Sequence, residues 1–173
     1  MQENNIKDKL IYSQRAIPKD QYRYGFRSSA KTGCGWIATY NALCLLNKDP
    51  NIHEIISFYE HELPLINGNI GTFMLSPVHY FQTHGYEVHY TGNKNKFDDL
   101  AKASDVSILF FWWRYKFMIG PHFVALHEMP NGYYGYNTYA NSKGPDYYGK
   151  SIKTFLAKKH YFGAILIGIK RKD

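Results

Sequence analysis

The chain has 173 residues, 45% hydrophobic and 20% charged, which suits one folded domain with a full core and excludes a disordered chain. The N-terminus is polar and no apolar stretch is long enough to span a membrane. Neither a signal peptide nor a membrane span is read, and a cytoplasmic location is expected, with secretion or effector use left open. The net charge of +7 invites an anionic partner. The basic residues are scattered, however, and the one tight run, Lys170-Arg171-Lys172, reads as a solvated tail, so nucleic acid is not the expected partner.

Residues 1–30 are polar and aromatic without a clear period, and 1–13 suit a flexible N-terminal arm. Tyr22, Tyr24 and Phe26 alternate with polar or small residues and predict a short strand over 20–27. A helix is expected from Cys34 to Leu46. Asp49-Pro50 reads as an N-cap followed by proline, opening an amphipathic helix over about 51–61 with Ile52, Ile55, Ile56 and Tyr59 inward. After a loop through Asn67-Gly68-Asn69, a further helix starts at Thr72 or at Ser76-Pro77 and stops before Gly85.

The second half has a different texture. Tyr86–Tyr90 alternates like a strand and 95–103 reads as a short helix. The run from Val106 to Tyr115 suits a strand covered on both faces. Strands over 122–128 and 133–139 are joined by the hairpin signal Pro130-Asn131-Gly132. A polar loop covers 138–150, Ser151 caps a helix over 151–160, and Tyr161–Ile169 is a closing strand. Helices first and an antiparallel sheet second make an α+β domain, with a cleft expected between the two layers. No repeat or linker divides the chain, so residues 1–173 form a single domain.

Thr32-Gly33-Cys34-Gly35-Trp36 places a cysteine at the start of the first long helix. A helix N-terminus carries unpaired N–H groups and roughly half a positive charge, which favour a thiolate, and the thiolate is the nucleophile. The flanking glycines allow a sharp turn and close approach of a substrate. The competing reading is a small buried residue at a helix start. Cys34 and Cys44 lie roughly 15 Å apart if they share a helix. That exceeds the reach of a disulfide, about 7 Å. Two free thiols fit a reducing compartment.

A thiol needs a base, and the base needs a group that fixes its tautomer. His53, His61, His79, His84 and His89 read as surface residues, and His160 as a cation at a helix C-terminus. His122 follows Gly120-Pro121 and opens a strand, where it points into a cleft rim; His127, five residues on, falls on the opposite face. Symmetric pairing about Asn131-Gly132 brings Asn137 within a few residues of His122, and its amide oxygen could then accept from the imidazole. The competing reading of Asn137 is a turn former at a strand end.

The order Cys34, His122, Asn137 resembles the papain-like cysteine peptidases, most closely their bacterial peptidase C39-like branch. Cys34-Gly35-x-x-Ala38 is similar to that branch's nucleophile motif, Trp36 to the tryptophan after the papain cysteine, and His122-Phe123-Val124-Ala125-Leu126 followed by Tyr136-Asn137 to its histidine strand and orienting residue. The resemblance spans about 14–169. It implies a papain-like fold, with a nucleophile helix packed on the sheet, and a Cys34, His122, Asn137 triad.

The chain departs from the family in two places. Asn137 stands where the C39-like branch usually has Asp, and Arg27-Ser28-Ser29-Ala30-Lys31 lacks the glutamine whose amide donates to the oxyanion. Gln14 and Gln21 lie further back, so the second donor is open, with Ser28 a guess beside the Cys34 N–H. Losing one such donor costs about 10²–10³ in rate.

The expected activity is therefore a thiol hydrolase acting on a peptide or amide bond through an acyl-enzyme. An acyl transferase would use the same triad. A non-catalytic module that binds a peptide or a polyanion on the same fold is the alternative, motivated by the charge and by the tyrosines of 133–148. His53-Glu54 and His61-Glu62 lack the second histidine of a zincin motif, and phosphate-loop and dinucleotide fingerprints are absent. Neither a metal nor a cofactor is expected.

Overall fold

Val106–Tyr115 is apolar at nearly every position because both of its faces are covered. This strand, β4 here, is central to the sheet of a computed structural model that describes residues 9–62 and 71–172. The loop expected through Asn67-Gly68-Asn69 lies outside the described residues. The other strands are β1 (Arg23–Tyr24), β2 (Arg27–Ser28), β3 (Glu87–Thr91), β5 (Met118–Met129), β6 (Gly132–Tyr136), β7 (Asp146–Gly149) and β8 (Phe162–Lys170). The helices are α1 (Ser29–Thr32), α2 (Cys34–Leu45), α3 (Ile52–His61), α4 (Ser76–Thr83), α5 (Phe97–Lys102) and α6 (Ile152–Lys158). The six-stranded sheet runs β3-β8-β4-β5-β6-β7 with every pair antiparallel, and β1 and β2 form a separate hairpin. The architecture is α+β.

The two faces of the sheet bury different cores. Ile108, Phe110, Phe123, Ala125, Ile167 and Ile169 face α2, α3 and α4. Leu109, Phe111, Val124, Leu126 and Leu166 face α5 and α6. Strand alternation alone sorts these residues into two sets. α2 lies against β5 and is buried from Cys34 through Cys44 except at Tyr40. Cys44 is core and both thiols are free.

Several boundaries differ from the sequence expectation. The strand expected over 20–27 is a hairpin, because Gly25 takes a left-handed φ of 59° and reverses the chain between β1 and β2. α3 is capped by Asn51, whose Oδ1 accepts from the His53 N–H at 2.9 Å; Asp49 instead pairs with Lys9 at 2.8 Å. The polar loop over 138–150 contains β7. Residues 9–13 are docked: Leu10 and Ser13 are buried, and Asn41 exchanges two hydrogen bonds with the Ile11 backbone, at 2.9 and 2.8 Å. No helix among the described residues is long and apolar enough to cross a membrane.

Candidate active site

α2 begins at Cys34, directly after the short α1. Gly33 has φ −81°, which any residue adopts, so it makes no special turn. Gly35 is needed for packing: a Cβ there would run into the side chain of Thr72, whose Oγ1 donates to the Tyr24 hydroxyl at 3.2 Å. The space that sequence reasoning reserved for a substrate beside Gly35 is thus filled by Thr72. Trp36 is fully buried and its Nε1–H donates to Ser29 Oγ at 3.0 Å. Ser28, the guessed oxyanion donor, is committed locally: its Oγ accepts from the Ala30 N–H at 3.4 Å and caps α1.

The thiol of Cys34 is buried, and burial pushes it up to about 11. The backbone N–H groups of Phe123, Gly35 and Cys34 itself draw it down, but by less than burial raises it. A reactive cysteine was expected to be accessible and acidified by the helix end. In this conformation desolvation outweighs the helix end, and the thiol is neutral.

His122 is not the first residue of its strand, because β5 starts at Met118. It pairs with Phe111 across the ladder and lies edge-on to that ring, with centroids 5.8 Å apart. It therefore shares the sheet face of Phe111 and Val124, whereas Cys34 packs with Phe123 and Ala125 on the other. His127 falls on the face opposite His122, as alternation requires. No hydrogen bond joins Cys34 to His122 among the described residues; their link is through the chain, since the N–H reaching the sulfur belongs to the residue after His122.

The hairpin register places Ala125 opposite Tyr136, not opposite Thr138 as symmetric pairing about Asn131-Gly132 would have it. Asn137 follows the last residue of β6 with φ 69°, a left-handed conformation that asparagine tolerates better than most residues. Its main-chain carbonyl accepts from His122 Nε2 at 2.6 Å. The side-chain amide that was expected to do this is occupied elsewhere: Asn137 Oδ1 accepts from the Gln14 N–H at 2.7 Å, and Nδ2 donates to Gln14 Oε1 at 3.5 Å. A carbonyl oxygen only accepts, so Nε2 carries the proton and Nδ1 keeps the lone pair. Burial holds the imidazole below its ordinary range, partly offset by that hydrogen bond.

Gln14 is the residue that sequence reasoning left too far back. It lies 123 positions from Asn137, and its Nε2 also donates to the Ala30 carbonyl at 3.3 Å. No local pattern announces such a contact. A cavity of about 360 Å³ opens beside this group, and Gln14, His122, Asn137, Phe111, Trp113 and Tyr161 are among the residues that line it. Cys34 does not line it. Among the described residues no cluster of His, Cys, Asp and Glu is suited to holding a metal ion. The sequence matches no known protein family and no curated protein.

Proposed function

We propose that this chain is a papain-like thiol hydrolase that cleaves a peptide or amide bond through Cys34 and His122, with Asn137 orienting the imidazole. The observation that carries the reading is the bond from His122 Nε2 to the Asn137 carbonyl, which leaves Nδ1 unprotonated and free to act as a base. Supporting it, Cys34 heads a 12-residue helix, with the N–H groups of Gly35 and Phe123 directed at its sulfur.

The resting state is a neutral thiol and a neutral imidazole. Reaction requires a rearrangement of α2 against β5 that frees the buried sulfur and brings it to Nδ1, which in this conformation lies on the other face of the sheet. Nδ1 then takes the thiol proton as the sulfur adds to the substrate carbonyl. Collapse of the tetrahedral adduct breaks the C–N bond, and the imidazolium gives its proton to the departing amine. Water, activated by Nδ1, hydrolyses the thioester and restores the thiol. An acyl transferase would differ only in passing the acyl group to an amine in place of water.

A specific observation favours the second reading, a non-catalytic module that binds a peptide or a polyanion. The thiol is buried and, among the described residues, has no hydrogen bond to a base. One experiment separates the two. A peptide aldehyde or vinyl sulfone is incubated with the protein at neutral pH, and the adduct is located by mass spectrometry. The hydrolase reading expects an adduct on Cys34 that is lost in Cys34→Ala and strongly slowed in His122→Ala. No adduct on Cys34, or equal labelling of His122→Ala, overturns it in favour of the binding module.

A further inference from the structure

The cavity beside His122 carries positive charge without a counter-charge among the described residues. Arg15, Arg114 and Lys159 stand around it, and among the described residues no Asp or Glu lines it. None of the three is in an ion pair among the described residues; those found join Lys9 to Asp49, His79 to Glu62, His89 to Glu87 and Arg171 to Asp105. The charge continues past the cavity. A neighbouring opening of about 450 Å³ shares Arg114 and is bordered by Lys116, His160 and Phe162, again with no acidic residue among the described ones. Cations placed around two adjoining concavities with low-dielectric walls focus a positive potential there.

Several rings in this region already have partners. Phe111 and Tyr161 stack on each other, with centroids 4.5 Å apart at 10°. Lys159 covers Tyr139 at 5.3 Å, and Arg114 lies over Phe162 at 5.9 Å. A nucleobase would find few free faces to stack on, although stacking supplies much of the affinity for single strands. An extended peptide needs only cations for its carboxylates and apolar edges for its side chains.

We propose that these adjoining cavities form a substrate subsite for an acidic peptide segment, with one carboxylate meeting Arg15 and Lys159 and a neighbouring one meeting Arg114 and Lys116. The inference rests on the hydrolase reading only in calling the ligand a substrate; binding itself does not require turnover. Charge-assisted contacts to carboxylates are the strong ones among such hydrogen bonds, and salt screens them when they are exposed.

The test uses the full chain carrying Cys34→Ala, so that nothing is consumed. The probes are N-acetyl-Glu-Tyr-Glu-Tyr-amide and its Gln-for-Glu counterpart, and the readout is the indole N–H resonance of Trp113, a cavity residue. The expected result is a Glu peptide that binds at least about tenfold tighter at low salt, a preference that shrinks as salt is added. Arg114→Ala combined with Lys159→Ala, both exposed positions, removes the preference while leaving the spectrum folded. Equal binding of the two peptides, or an unchanged preference in the double variant, overturns the proposal. So does a single-stranded oligonucleotide that occupies the site more tightly than the Glu peptide. The two readings fail separately. A Glu preference with no Cys34 adduct in the parent chain sinks the hydrolase and keeps the subsite; cleavage of Glu and Gln peptides at equal rates does the reverse.

Discussion

His122 Nε2 donates to the main-chain carbonyl of Asn137 across 2.6 Å, and Asn137 can aim that carbonyl because its φ is 69° and its side chain is tied to Gln14. One asparagine thus holds a histidine through its backbone and, through its side chain, the distant 3-10 turn Gln14–Ala16. Asn137→Ala loses both the left-handed tolerance and a buried acceptor, and a destabilisation of about 1–3 kcal/mol is expected. Asn137→Asp keeps Oδ1 for the Gln14 N–H and is expected to stay closer to the parent. Urea unfolding of the two variants measures the difference; equal stability would show that the Gln14 contact contributes nothing.

Burial holds Cys34 up at about 11, so about one thiol in ten thousand is ionised at pH 7 in this conformation. Alkylation of Cys34 by iodoacetamide is expected to rise about tenfold per pH unit up to that range. A rate that is already high and flat between pH 6 and 8 would mean that the populated thiol is exposed and acidic.

His122 titrates below its ordinary value because burial disfavours the imidazolium. The folded state therefore binds fewer protons than the unfolded chain below an unfolded pKa of about 6.5. Stability falls as the pH drops from that value toward the folded pKa, and is unaffected by this group at higher pH. His122→Gln is expected to flatten that part of the stability curve, and thermal melts between pH 4 and 7 would show it. His127 is shifted the same way by burial and contributes to the same window, so the slope should diminish without vanishing.

Gly120 pairs with Trp113 across the β4–β5 ladder, and a Cβ at that glycine would lie 2.6 Å from Trp113 Cζ2. Gly120→Val is expected to cost about 1–3 kcal/mol by overpacking and to displace the indole. The Trp113 resonance should shift in this variant, and affinity for the acidic peptide should fall. An unmoved indole would show that the ring has slack that the tight packing does not suggest.

Unbroken apolar runs and clear caps could be read directly: α2, the strand Val106–Tyr115 and the Ser151-capped α6 lie where the sequence put them. What could not be read was set by long-range contacts. A shift of two residues in the β5–β6 register decides which Asn137 atom reaches His122, and hairpin symmetry alone does not fix it. The start of β5 at Met118 was hidden because Met118, Ile119 and Gly120 belong to a hairpin arm whose far end is exposed. The glycines beside Cys34 were expected to allow a sharp turn and close approach of a substrate, whereas Gly35 makes room for Thr72, 37 positions away, through a contact with no signature near the cysteine.

The near-complete burial of α2 bears on how the chain folds. A segment with no solvent-facing stripe gains nothing by forming a helix in water before β5 is there to receive it. α2 and β5 are expected to form in one cooperative step, without a stable intermediate in which either stands alone. A fragment covering residues 9–62 would present an unshielded greasy rod and would aggregate, whereas mixing it with a fragment covering 71–172 should restore a soluble complex. Core variants far from Cys34 would then unfold the whole domain and not one part of it.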